Sequence, residues 1–294
     1  MLYQHNFSSF VMGDWIVPSH PSRLVCSAVT GQELGSVGGA LDVSGMRDYA
    51  KTYGGPSLRA LNFHDRARLL KALALHLKLH RKALYKLSFE TGATLSDSKI
   101  DIDGGIATLL VYASKGRREM PDGFILPDGE LEVLSRDGSF LGQHIYTPLR
   151  GVAVQINAFN FPVWGMLEKL APSLLAGVPS LIKPATSTGY LTQAVVRLML
   201  DSGLLPRGAI QLIMGGTSNL LDILDCQDTV GFTGSAATAL TLRSSPNILK
   251  NGVRFTAEQD SLNGSLLGPD VVPGTAEFDL FVTEVHREMT TKAG

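Results

Sequence analysis

Apolar residues recur at helical spacing most clearly between Asn62 and Glu90. Leu69, Leu70, Leu73, Leu77, Leu84 and Leu87 form one stripe, with Arg66, Arg68, Lys71, Lys78 and Lys82 placed outside it. The spacing predicts one long helix, stopped at Thr91-Gly92. A second helix is expected from Asp97 to about Arg117, where Gly104-Gly105 permits close packing or a bend. From Gly151 to Thr186 the pattern changes to strand, helix, strand. Val152, Val154 and Ile156 are a β-branched run, and Pro162 suits a first helical turn. Met166, Leu167, Leu170, Leu174 and Leu175 return at helical spacing, and Gly177 is placed to end that helix left-handed. Pro179 to Ile182 enters a second strand that stops at Lys183-Pro184. A unit of this length fits one βαβ crossover with parallel, buried strands.

The same alternation continues. Leu191–Leu200 reads as a helix, Ala209–Met214 as a strand and Leu220–Leu224 as a short helix. Thr229–Phe232 is a strand, Ser235 opens a helix to about Arg243, and Val253–Thr256 is a strand leading into Glu258. Strands alternating with helices predict the α/β class, a doubly wound parallel sheet of Rossmann-like type. Residues 1–50 are turn-rich, with Val25–Val29 the best strand, so Cys26 is expected as a packed core thiol. Residues 121–150 carry the turn dipeptides Asp122-Gly123, Asp128-Gly129 and Asp137-Gly138. Leu131–Leu134 and Phe140–Tyr146 alternate apolar and polar between them, which predicts a protruding β-hairpin. Residues 276–291 form a last amphipathic helix. The expected division is 1–120, N-terminal strands and helices of the same domain as the α/β core; 121–150, the hairpin; 151–275, the α/β core; and 276–294, the start of a further, truncated domain.

Composition narrows the classes. Of 294 residues, 44% are hydrophobic and 18% charged, ordinary for a globular protein. Lys plus Arg total 26 against 27 for Asp plus Glu, which gives no electrostatic case for nucleic acid or an anionic membrane. The first ten residues lack a basic start and an apolar run, so no signal peptide is expected. The two cysteines, Cys26 and Cys226, have neither CxxC nor zinc spacing, and a cytoplasmic setting is expected. His76 and His80 are four apart on the long helix, but no third ligand is evident and no metal is expected. There is no G-x-G-x-x-G, Walker A or G-x-S-x-G motif.

The polar residues of the central unit fall at strand carboxyl ends, where open α/β sheets bind ligands. Asn157 and Asn160 follow the first strand, Lys183 and Thr186 the second. Taken singly, an Asn before a helix is a cap and a Lys at a strand end a solvated charge. Taken in order, Asn157-Ala158-Phe159-Asn160-Phe161-Pro162, Lys183-Pro184-Ala185-Thr186, Phe232-Thr233-Gly234-Ser235 and Thr256-Ala257-Glu258 resemble the aldehyde dehydrogenase superfamily over essentially the whole chain. The following Ser261-Leu262-Asn263 resembles the branch that serves phenylacetate and benzoyl-CoA degradation.

The resemblance implies oxidation of an aldehyde or CoA-linked semialdehyde to the acid. Asn160 would donate to the oxyanion and Glu258 would be the general base. Cofactor contacts would come from Ala158, Phe159, Asn160, Lys183, Thr186, Gly216, Phe232, Gly234 and Ser235. The expected cofactor is NADP, with NAD possible: many NAD-preferring relatives hold Glu at the position of Thr186, and that carboxylate repels a 2′-phosphate. The hairpin would be a homo-oligomerisation arm. The family's nucleophile box, Gly-Gln-x-Cys, would open at Ala293-Gly294, and its cysteine is not among the 294 residues. The chain is therefore expected to be incomplete and inactive alone. The alternative is a noncatalytic nucleotide-binding or scaffold module.

Overall fold

The computed structural model describes residues 7–216, 219–260 and 264–291. The expectations on residues 1–6, on Ser261-Leu262-Asn263 and on Ala293-Gly294 lie outside the described residues. In chain order the elements are β1 (Ser9–Val11), β2 (Asp14–Ile16), β3 (Pro21–Cys26), β4 (Glu33–Gly38), α1 (Val43–Tyr49), α2 (Gly55–Arg59), α3 (Phe63–Ser88) and α4 (Leu95–Arg118). Then come β5 (Leu126–Val133), β6 (Leu141–Tyr146), β7 (Ala153–Ile156), α5 (Trp164–Leu175), β8 (Ser180–Lys183), α6 (Gly189–Asp201) and β9 (Ile210–Leu212). The last are β10 (Thr229–Gly234), α7 (Ala236–Arg243), α8 (Pro246–Lys250), β11 (Arg254–Gln259) and α9 (Ala276–Thr290).

The main sheet runs β11-β10-β7-β8-β9-β1-β2. The first five of these strands are mutually parallel, and β1 and β2 add an antiparallel edge. From β7 the chain winds outward through β8 to β9, then returns to pair β10 on the other side of β7. The direction of winding therefore reverses between β7 and β10, and a crevice opens at the carboxyl ends there. One core, on the side of α3–α6, gathers Leu70, Leu73, Leu109, Leu167 and Leu170 over Ile182 and Leu212. The other packs Met46 of α1 and Ile248 of α8 over Val154, Leu181 and Val230. Each such fully buried aliphatic side chain contributes about 1.5–3 kcal/mol of transfer free energy.

The helical periodicities are borne out. Asn62 caps α3 and Thr94 caps α4, each accepting the N–H three residues on. Gly177 ends α5 at φ +77°. Gly104-Gly105 is a point of close packing: a Cβ on Gly104 would stand 2.5 Å from the Trp164 ring. The hairpin forms as β5 and β6.

Other expectations are corrected. Cys26 is exposed rather than packed, because β3 spans Pro21–Cys26 and its alternation turns Val25 inward. Arg66 is fully buried, its guanidinium 4.5 Å over the Phe63 ring, rather than outside the apolar stripe. Asp128-Gly129 is an irregularity inside β5, not a turn between elements. β9 is shorter than Ala209–Met214, and Glu258 lies within β11 rather than after a strand.

Candidate active site

The loop after β7 carries Asn160 and is tied down from two helices. Thr188 Oγ1 donates to the Phe159 carbonyl at 3.0 Å, and Thr192 Oγ1 of α6 donates to the Pro162 carbonyl at 3.0 Å. From α4, buried Asp101 accepts the backbone N–H of Val163 at 3.1 Å and of Trp164 at 2.7 Å. Val163 has no polar side chain, so this carboxyl from another helix caps α5 in its place. Burial pushes the Asp101 carboxyl up to about 7, against the opposing effect of the two N–H donors. Sequence reading misses this residue, since nothing local marks a cap that arrives from another helix.

Glu258 reaches the same place from the far side. β10 and β11 pair in parallel with Thr233 opposite Glu258, and Thr233 Oγ1 donates to Glu258 Oε2 at 3.3 Å. Asn160 and Glu258 line one cavity of about 430 Å³ with Ala158 and Thr233. Its remaining walls are Ile100 of α4 and Phe161, Trp164, Gly165 and Glu168, along the loop into α5. Trp164, Glu168 and Glu258 also line a groove of about 670 Å³ across the face of β7, β10 and β11. Lys169 Nζ donates to Glu168 Oε1 at 3.0 Å beside it. A neutral amide donor and an exposed carboxylate on one apolar-walled cavity can stabilise a developing oxyanion and accept a proton.

The expected cofactor residues are distributed along the same sheet edge. Lys183 ends β8 and is buried, its Nζ donating to the Pro184 carbonyl at 2.6 Å. Desolvation, with a smaller push from the Arg23 charge, brings its ammonium down to about 8. Thr186 is half-buried, Gly216 follows β9, and Ala158 and Phe159 lie with Asn160. Phe232 is buried and stacks on Phe255, with centroids 6.5 Å apart. A Cβ on Gly234 would stand 2.6 Å from the Phe232 ring. Ser235 caps α7 by accepting the Thr238 N–H at 3.2 Å. The carboxylate of Asp260 accepts the Ala236 N–H at 3.2 Å, so the first helical N–H already has an acidic partner.

A dinucleotide fits this edge on two observations. Lys183 is a desolvated cation with no carboxylate bound to it among the described residues. Asn157, at the end of β7, is buried with its side-chain oxygen and nitrogen both without a protein partner. Orphaned polar atoms beside a crevice are satisfied by a ligand or by water. The cysteines stand elsewhere. Cys26 is on the β3–β4 hairpin, and the Cys226 carbonyl accepts from Arg254 at the start of β11. Glu258 lies four residues further along that strand, roughly 13 Å away. Among the described residues no group of three metal-ligating side chains occurs, and no helix is long and apolar enough to cross a membrane.

The sequence is 44% identical to the 3,4-dehydroadipyl-CoA semialdehyde dehydrogenase of Aromatoleum evansii, over 98% of this chain and 56% of that protein. It is 27% identical to the betaine aldehyde dehydrogenase of Bacillus subtilis, over 97% of this chain and 56% of that protein. A betaine aldehyde dehydrogenase variant from Staphylococcus aureus, solved with NAD+, superposes with a TM-score of 0.77 at 24% identity, over 96% of this chain and 55% of that one. The chain thus spans about half the length of the relatives it matches. The pattern of one family matches residues 15–294, and with it the fold and the 44% relative agree: the chain belongs to the aldehyde dehydrogenase family.

Proposed function

We propose that this chain is the cofactor-binding part of an NADP-dependent dehydrogenase. Its substrate would be an aldehyde, and specifically a CoA-linked semialdehyde formed in aromatic-compound breakdown, oxidised to the acid. The observation that carries this reading is the convergence of Asn160 and Glu258 on one cavity at the point where the sheet winding reverses. The Aromatoleum relative supports the substrate class. NADP, when bound, supplies the hydride acceptor. The Asn160 amide donates to the substrate oxygen as negative charge develops there. Glu258 takes the proton of the thiol or water that attacks. Ile100, Phe161 and Trp164 exclude solvent and receive the carbon chain. Lys183 and Thr186 hold the adenine ribose, and α7 faces the pyrophosphate once Asp260 gives way.

Neither cysteine is assigned as the attacking thiolate: Cys26 is on the separate β3–β4 sheet, and Cys226 is held at the start of β11, roughly four residues of strand from Glu258. Residues 1–120 and 151–275 then build the cofactor domain, and 276–294 opens the catalytic one. The two unpaired cysteines suit a cytoplasmic enzyme. The 121–150 hairpin is the oligomerisation arm: Leu131, Val133, Phe140 and Ile145 are all more than half exposed. An isolated hairpin needs such cover. Replacing Val133 and Phe140 together by Lys lowers the mass in sedimentation equilibrium; an unchanged mass removes the arm from this reading.

Thr186 is the residue that tests the cofactor. A carboxylate there would repel a 2′-phosphate, and the hydroxyl does not. Titration calorimetry gives tighter binding of NADP than of NAD, and Thr186→Glu reverses the order. Equal affinities that ignore the substitution contradict NADP as the cofactor.

A further inference from the structure

Arg23 is an exposed cation on β3 that none of the chemistry above uses. Its position follows from two glycines. Arg23 pairs with Val37 on β4, next to Gly38. Gly38 (φ +141°) abuts Gly215 (φ +112°): a Cβ on Gly215 would stand 3.1 Å from the Gly38 Cα. Gly215 lies in the loop that leaves β9, and the Ile213 N–H donates to the Ile182 carbonyl of β8 at 2.8 Å. The hairpin end is thereby pressed against the carboxyl ends of β8 and β9, where Lys183 and Thr186 sit.

This places two cations near each other. Burial lowers Lys183 most, and the Arg23 charge adds a smaller push in the same direction. No ion pair of either residue with an acidic side chain occurs among the described residues. Like charges near each other, one of them desolvated, are unfavourable until an anion joins them. The position along the edge selects the anion. β8 is two strands from β10, so the pair lies about 10 Å to the side of the α7 start. That offset suits the ribose next to a pyrophosphate, rather than the pyrophosphate itself.

We infer that Arg23, reaching over from the β3–β4 hairpin, completes with Lys183 and Thr186 a site for the 2′-phosphate of the adenine ribose. Specificity for the phosphorylated cofactor then comes from a strand outside the α/β core. Arginine suits the role because its planar fork donates twice to one phosphate. The inference rests on the NADP reading above.

The test is titration calorimetry of the 294-residue chain with NADP and with NAD. Arg23→Ala weakens NADP about tenfold, the low end for a charge-assisted bond on an exposed side chain, and leaves NAD within about twofold. Arg23→Lys recovers part of the loss. Salt weakens NADP binding less steeply in Arg23→Ala than in the unaltered chain. An unchanged circular dichroism melt shows that the variant folds. If Arg23→Ala leaves NADP binding intact, or weakens NADP and NAD alike, while Thr186→Glu still reverses the preference, the role of Arg23 is overturned and the cofactor reading stands. If the unaltered chain prefers neither nucleotide and Thr186→Glu changes nothing, both fall.

Discussion

Glu258→Gln lowers aldehyde oxidation about 10²–10⁴-fold in a polypeptide that joins this chain to the catalytic half of an aldehyde dehydrogenase, as general-base catalysis warrants. The amide keeps the shape and can still meet Thr233, which now donates to a neutral carbonyl. It cannot take a proton. Nothing else on the cavity replaces it: Thr233 is a hydroxyl, and Glu168 sits on α5 beside Lys169. NADP affinity stays within about twofold, since Glu258 is at the β11 end, whereas Lys183 ends β8 and Thr186 follows it. NADPH formation at 340 nm with a panel of semialdehydes reads the loss. A variant that retains more than a tenth of the rate would place the base elsewhere.

The largest loss of stability is expected at the opposite edge of the sheet. Asp228 is fully buried and accepts four bonds. They come from Arg47 Nε at 2.9 Å, Arg47 Nη2 at 2.7 Å, the Val152 N–H at 2.7 Å and the Asp225 N–H at 2.8 Å. It thereby locks α1 to the amino ends of β7 and β10. Gly151 is forced by the same contact, because a Cβ there would stand 2.1 Å from Asp228 Oδ1. Asp228→Ala leaves the Val152 N–H unpaired and Arg47 with Asp225 alone. Breaking a buried ion pair on one side costs about 3–5 kcal/mol. The Asp225 side chain is 41% exposed, and Asp225→Ala costs about 0–1 kcal/mol. Urea midpoints compare the two; equal midpoints would show that Asp228 is not the lock.

What the sequence made legible follows from how far each signal extends. α3, α4 and α6 carry long periodic stripes, and the β7–α5–β8 unit is bounded by Pro162, Gly177 and Pro184, so their types and order could be read. Asn160, Lys183 and Glu258 could be placed at strand ends because the parallel alternation fixes which ends meet. The features that could not be read are three-dimensional or too short. β1 and β2 are three residues each, below any periodic signal. Asp101 sits in an ordinary helical run, and only the fold brings it 62 residues away to the Val163 N–H. Arg66 reads as a solvated charge because its stem and its cation share one letter; burial over Phe63 is decided by packing. Arg23 is brought to the β8 edge by the Gly38–Gly215 contact, between residues far apart in the chain.

The most direct measurement is a crystal structure of the chain grown with NADP. The nicotinamide should lie in the cavity between Asn160 and Glu258, with the pyrophosphate at the start of α7 and Asp260 displaced from the Ala236 N–H. The 2′-phosphate should meet Lys183, Thr186 and Arg23. Nucleotide bound away from the carboxyl ends of β7 and β10, or a nicotinamide remote from Glu258 at full occupancy, would contradict the assignment of this edge as the cofactor and catalytic site.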